Sequence, residues 1–193
     1  MALPKDQVLD IFRETKALLE GHFLLTSGLH SPHYFQCARV LQYPKYLHLF
    51  AGEIAHHFEY SEVEVVVSPA VGGIVVATEV GRILDARTMF AERENSAMGL
   101  RRGFELKKGE RVLVVEDVVT TGGSVEEVIA LVSQAGAKLA GVGYIVDRSN
   151  GRTKFEAKTF AALTMEVITY SPDQCPLCKE GSVAVKPGSR GLR

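Results

Sequence analysis

The chain has 193 residues, 46% of them hydrophobic and 23% charged, with 22 Lys and Arg against 23 Asp and Glu for a net charge of −1. That length suits one domain with a core, and the apolar content excludes a disordered chain. The balanced charge excludes a globally basic nucleic-acid binder, and three cysteines cannot all pair, which argues for a reducing compartment.

In chain order, Asp6–Glu20 places Val8, Ile11, Phe12, Leu18 and Leu19 on one helical face, with Gly21 as its C-cap. An extended pair follows, around His22–Leu25 and His33–Cys37, hinged at Ser27-Gly28. Pro44 opens a helix carrying Leu47, Phe50, Ala51, Ile54 and Phe58. Val63–Val67 reads as a strand ending at Ser68-Pro69, then a helix over Ile74–Asp85 and a strand over Arg87–Ala91. The stretch Glu92–Gly103 is polar and irregular. Strands are expected at Arg111–Val115, Leu139–Val146 and Phe160–Ile168, with a helix over Ser124–Gln134. Strands alternating with helices predict an α/β fold around a parallel sheet. The charged N-terminus shows no secretory signal, and Pro69, Gly72 and Gly73 break the longest uncharged stretch, so a soluble, cytoplasmic protein is expected. The tail Lys186–Arg193, with Pro187, Gly188 and Gly191, reads as flexible.

Val112–Ser124, VLVVEDVVTTGGS, carries the chemistry. A strand buried on both faces ends in two carboxylates, Glu116 and Asp117, followed by a small-residue loop into a helix. Ligands of open α/β sheets sit beyond the carboxyl ends of strands. Free amides at a helix start, with hydroxyls beside them, suit a phosphomonoester, and adjacent carboxylates can accept bonds from vicinal sugar hydroxyls. The pattern therefore asks for a sugar phosphate. The plain alternative is a strand, a turn and an N-capping Ser124. A Walker loop is excluded because Gly-Lys-Ser/Thr is missing, and a dinucleotide fingerprint because the acids precede the glycines.

This segment resembles the phosphoribosyl pyrophosphate (PRPP) signature of type I phosphoribosyltransferases. Gly21–Phe35, GHFLLTSGLHSPHYF, is similar to the hood of orotate phosphoribosyltransferases, and Ser68-Pro69-Ala70-Val71-Gly72-Gly73 and Val146-Asp147-Arg148 extend the resemblance along nearly the whole chain. The resemblance implies one phosphoribosyltransferase domain, with the hood mainly in residues 1–40, the core at about 41–170 and a C-terminal extension at 171–193. It implies that Glu116 and Asp117 hold the ribose hydroxyls, and that Val118, Val119, Thr120, Thr121, Gly122, Gly123 and Ser124 complete the PRPP site. Ser68 to Gly73 would hold the pyrophosphate. Thr120, Arg148, Tyr34 and Phe35 would meet orotate, Arg148 through its planar fork and the two aromatics by flanking the ring. Arg93 and Asp117 would be the catalytic residues. The implied reaction gives orotidine 5′-phosphate and pyrophosphate, a step of de novo pyrimidine synthesis, with Mg2+ held mainly by PRPP. The implied assembly is a homodimer whose mobile loop acts across subunits. No nucleic acid and no membrane is involved.

Three positions depart from the family pattern. Thr26, Gly72 and the loop ERENSAMGLRRG stand where lysines are common; the loop's cations are Arg93, Arg101 and Arg102, and Glu94 and Ala97 stand near expected lysines. Arginine can still stabilise a leaving pyrophosphate. A lysine-free loop keeps a rival in view, a PRPP-sensing regulator without chemistry; a transferase for another base is a second. Cys175-Pro-Leu-Cys178 looks like half a zinc site, but no second Cys pair exists and no histidine is near in sequence, so a turn opened by Ser171 and Pro172 is the preferred reading and no protein-held metal is expected.

Overall fold

The computed structural model describes residues 3–25, 27–95, 97–165 and 167–187, so the expectations for Thr26 and for the tail beyond Pro187 lie outside the described residues. Helix α1 spans Lys5–Glu14 and is followed by an antiparallel hairpin of β1 (Leu18–Leu24) and β2 (His30–Phe35). Short α2 (Ala38–Leu41) leads to α3 (Pro44–Phe58). The main sheet then forms from β3 (Val65–Pro69), α4 (Gly72–Leu84), β4 (Arg87–Glu94), β5 (Ala97–Leu100), β6 (Arg111–Val119), α5 (Gly123–Gln134), β7 (Lys138–Asp147) and β8 (Thr159–Thr164). A turn at Pro172–Gln174 and α6 (Pro176–Lys179) close the described chain. Strand order is β5-β4-β3-β6-β7-β8, and only the β4–β5 pair is antiparallel.

The valine run of β6 shows why the sheet is central. Leu113 and Val115 enter one core with α1, α3 and α4; Val112 and Val114 enter a second core beneath α5. Strand side chains alternate between faces, so a strand apolar at every position must be covered twice.

The N-terminal helix is shorter than its periodicity predicts. Thr15 Oγ1 donates to the Ile11 carbonyl at 2.7 Å, and Lys16 turns left-handed at φ 55°. Residues from Leu18 onward then pair with β2, Leu18 opposite Phe35, so Gly21 is a strand residue and not a C-cap. Glu92–Gly103 is not irregular: β4 runs on to Glu94 and folds back through Asn95, at φ 49°, into β5. Ion pairs Arg101–Glu94 and Arg102–Glu92 cross this hairpin. The C-terminal segment returns to the hood, where Tyr170 pairs with His30 and Val185 with Phe23.

Candidate active site

Strand β6 reaches Val119, four residues beyond its expected end, so Glu116 and Asp117 are strand residues rather than a boundary. The Asp117 amide donates to Glu116 Oε1 at 3.0 Å, and the Val118 amide to Asp117 Oδ1 at 3.0 Å. Both carboxylates lie against the first turn of α4. A Cβ at Gly72 would stand 2.4 Å from Asp117 Oδ2, and one at Gly73 would stand 2.9 Å from Glu116 Oε1. Only side-chain-free residues let this helix start come so close to the acids. Glu116 is 8% exposed; burial, then the charge of Asp117, push its pKa up to about 9, so it holds a proton at neutral pH.

The segment Ser68 to Gly73 comprises the last two residues of β3, the turn at Ala70-Val71 and the first two residues of α4. Ser68 Oγ is buried without a hydrogen-bond partner among the described residues, and the Ala70–Val71 peptide is cis. Beside it, Thr120–Ser124 wraps onto the start of α5. Gly122 is the N-cap, at φ 82°, and a Cβ there would meet Thr153 Cγ2 at 2.7 Å. No side chain caps this helix, so Ser124 is not spent on capping. The first amides of α5 and the Thr120–Ser124 backbone border a small concavity of about 70 Å³ together with Glu116.

Asp147 ends β7 and organises the next loop. Its Oδ1 accepts from the Ser149 amide and hydroxyl, both at 2.7 Å, and its Oδ2 from the Gly151 amide at 2.9 Å. Ser149 Oγ accepts from the Thr153 amide, and Thr153 Oγ1 donates to the Thr120 carbonyl at 2.9 Å. The Asp147 carboxylate thus ties the Arg148 loop to the phosphate-type loop, leaving the Arg148 side chain to the cleft. Arg148 Nε is buried without a partner among the described residues, and burial pushes its pKa down. Its guanidinium lies 5.9 Å from the Phe35 ring centre. Asp147→Ala would strand the buried amide and hydroxyl of Ser149 and the half-buried amide of Gly151, and is expected to cost about 2–4 kcal/mol of stability, read by urea unfolding.

Thr120, Thr121, Arg148, Arg152 and Lys154 line a cleft of about 580 Å³. Sequence reasoning missed Arg152 and Lys154, although the basic run after Asp147 is a signal for an anion site. Tyr34 and Phe35 do not line this cleft. Phe35, 5% exposed, packs edge-on to Phe12 at 6.1 Å and supports Arg148 from the core. Tyr34 stacks at 5.8 Å on Phe23 and lines a separate hollow with Gln36, Arg39 and Gln42. On the hairpin, Arg93 Nη1 donates to Glu127 Oε1 of α5 at 2.9 Å, while Arg101 and Arg102 are held by Glu94 and Glu92.

Residues 40–172 match the phosphoribosyl transferase domain. The chain is 57% identical over 183 residues to an orotate phosphoribosyltransferase of Chlorobium phaeobacteroides, covering 95% of each. It is 55% identical over 188 residues to one of Desulforamulus reducens, covering 97% of this chain and 98% of the relative. The chain belongs to the orotate phosphoribosyltransferase family. It is an enzyme of phosphoribosyl transfer, which sets aside the regulator without chemistry. Among solved structures, the orotate phosphoribosyltransferase of Aeropyrum pernix superposes with TM-score 0.69 at 23% identity, covering 82% of this chain and 93% of that one. An adenine phosphoribosyltransferase of Rhodothermus marinus superposes with TM-score 0.66 at 18% identity, covering 83% and 99%. The fold is therefore shared across acceptor bases, and the base must be chosen by the site.

Proposed function

We propose that this chain transfers the phosphoribosyl group of PRPP to orotate, giving orotidine 5′-phosphate and pyrophosphate. The observation that carries this reading is the juxtaposition of an acid pair, an uncapped helix start and a cleft holding the unpartnered Arg148 Nε. The 5′-phosphate sits on the amides and hydroxyls of Thr120–Ser124, where the helix dipole and free N–H groups favour an anion. Glu116 and Asp117 take the ribose hydroxyls. The loop from Ser68 to Gly73, leading into α4, receives the pyrophosphate. Arg148 bonds the polar edge of orotate with a half-buried guanidinium whose Nε is already shielded from water.

The ring nitrogen of orotate forms its bond to C1 of the ribose as the bond from C1 to the pyrophosphate oxygen breaks. The chain contributes position and charge: the two ends of PRPP are fixed on two helix starts, and C1 lies between them. Mg2+, carried mainly on PRPP oxygens, would neutralise the leaving pyrophosphate, and the carboxylate oxygens of Asp117 are the hard donors that fit such an ion.

Arg93 supplies further positive charge once it leaves Glu127. Exposed ion pairs are worth only about 0–1 kcal/mol, so a pyrophosphate with several charges outcompetes a single glutamate. A homodimer in which the β4–β5 hairpin reaches the neighbouring site fits the position of these arginines at the sheet edge, and a cytoplasmic setting fits three free cysteines. Among the described residues no helix is long and apolar enough to cross a membrane.

The test follows orotate absorbance with PRPP and Mg2+, against adenine, hypoxanthine and uracil. Turnover with orotate alone is expected. Turnover with another base instead would overturn the assignment of Arg148 to the orotate edge.

A further inference from the structure

We propose that His22, His30, Cys175 and Cys178 bind a structural Zn2+ that fastens the C-terminal segment to the β1–β2 hairpin. One ligand atom from each of the four lies within 4.8 Å of every other. His22 Nε2 is 2.9 Å from His30 Nδ1 and 3.5 Å from Cys175 Sγ. Cys178 Sγ is 3.8 Å from His22 Nε2 and 3.3 Å from His30 Nδ1.

Tetrahedral zinc, with bonds of about 2.3 Å to sulfur and 2.0–2.1 Å to nitrogen, sets ligand atoms about 3.3 Å apart for two nitrogens and about 3.6 Å for nitrogen and sulfur. The three nitrogen–sulfur separations bracket their value before any side chain has moved, and the two nitrogens, at 2.9 Å, need to part by only a few tenths of an ångström. The spacing arithmetic that argued against a metal looked only along the chain. Folding overturns its premise: the hairpin brings His22 beside His30, and the Cys-Pro-Leu-Cys turn delivers both thiols to them.

A second, independent feature points to a ligand. His22 Nδ1 lies 3.1 Å from the Ser182 carbonyl. Donation there fixes the imidazole with Nδ1–H outward and the Nε2 lone pair facing the cluster, the usual outer partner of a metal-bound histidine. The same Nε2 is the atom that approaches His30 and both sulfurs. Burial agrees: Cys175 is 0% exposed, His22 6% and His30 8%. Two thiolates and two neutral imidazoles around Zn2+ sum to zero charge, which suits a buried site. Soft sulfur with imidazole selects zinc over magnesium or calcium. Four protein ligands leave no open position, so the metal is structural rather than catalytic.

Its place defines its work. Among the described residues, the backbone pairings between the hood hairpin and the C-terminal segment are short: Leu24 N to Val185 O at 2.9 Å, Val185 N to His22 O at 2.8 Å, and the reciprocal bonds between His30 and Tyr170 at 2.8 Å. A metal bridging His22 and Cys178, 156 residues apart, would close a long loop and hold the hairpin that carries Tyr34 and Phe35.

The purified full chain, expressed with zinc and handled without chelator, is expected to carry about one zinc per chain by elemental analysis. Co2+ added to the metal-stripped protein is expected to give the thiolate charge-transfer and strong ligand-field absorption of a tetrahedral sulfur–nitrogen site. Cys175→Ser/Cys178→Ser and His30→Ala are expected to lose both signals. Stripping the metal is expected to lower Tm by about 5 °C or more. Zinc below about a tenth of stoichiometry together with a featureless Co2+ spectrum would overturn the site, as would a Cys175–Cys178 disulfide in the freshly purified protein. Stoichiometric zinc retained by the double cysteine variant would place the metal elsewhere. The Co2+ titration of the unaltered chain decides the matter even where a variant does not fold.

Discussion

Asp117→Asn is expected to lower kcat/KM for PRPP by about 10²–10³-fold while leaving the fold intact. The residue is only partly buried, and the bond from the Val118 amide to its Oδ1 at 3.0 Å can be kept by an asparagine oxygen. What is lost is the second acceptor and the charge. A hydrogen bond to a charged group contributes about 1.5–3 kcal/mol, and two ribose hydroxyls multiply the effect. With orotate on Arg148 as proposed, its own binding is expected to change less. Calorimetric titration of both proteins with PRPP checks this, and equal affinities would remove Asp117 from the ribose site.

Glu116 beside it gives a different signature because it is protonated in the folded, ligand-free protein. Its pKa rises from 4.5 to about 9 on folding. The folded state therefore holds a proton that the unfolded chain gives up above pH 4.5, and stability falls as pH rises through that window. Glu116→Gln mimics the neutral acid, so this part of the pH slope is expected to vanish: Tm near pH 4.5 changes little, and the gain in Tm over the parent grows steadily from there to pH 9. PRPP use is expected to fall all the same, since an amide cannot give up a proton to offer the ribose hydroxyls two acceptor oxygens.

The α/β order was legible because β6 is apolar at every position from Val112 to Val115, a pattern that requires two covered faces. The N-terminal boundary was not. Leu18 and Leu19 continue a helical spacing, but the left-handed turn at Lys16 and pairing with β2 override it, and neither is a local property. The β5 strand escaped for a related reason. Ala97–Leu100 has too few β-branched residues to announce itself, and its partner β4 together with cross-hairpin ion pairs defines it.

The site divides the same way. Glu116, Asp117 and the Thr-Thr-Gly-Gly-Ser run are contiguous, so the residues that make the chemistry also make the motif. Arg148 is legible from its place after a buried strand. What holds it is not: the bonds from Ser149 and Gly151 to Asp147 are local, but the one from Thr153 to Thr120 joins segments separated by an entire helix and strand. Phe35 shows the limit of reading neighbours as equals. Tyr34 and Phe35 are adjacent, but strand alternation sends the phenylalanine into the core and leaves only its edge of influence, beneath Arg148.

Gly72→Ala is expected to act in opposite directions on stability and on activity. Gly72 opens α4, and alanine there favours the helix by up to about 1 kcal/mol, so Tm is expected to hold or rise. The added Cβ would stand 2.4 Å from Asp117 Oδ2 and 2.6 Å from its Cγ, separations no carbon tolerates. The backbone of α4 is fixed in the core, so the Asp117 carboxylate must rotate away. Leaving its rotamer costs about 0.5–1.5 kcal/mol, and a reacting-group misplacement of about 1 Å is enough for about 10²-fold in rate. A fall in kcat/KM for PRPP of at least about tenfold, with unchanged or raised Tm, is the expected pair of results. Unchanged kinetics would mean that Asp117 points elsewhere during turnover. The same contact explains the departure from the family pattern at this position. A lysine at 72 has its Cβ in the same place, so in this chain a cation there would displace the carboxylate it is meant to assist. The positive charge that faces the pyrophosphate must then come from outside this loop, and Arg93, held on the exposed face of α5 by Glu127, is the side chain placed to bring it.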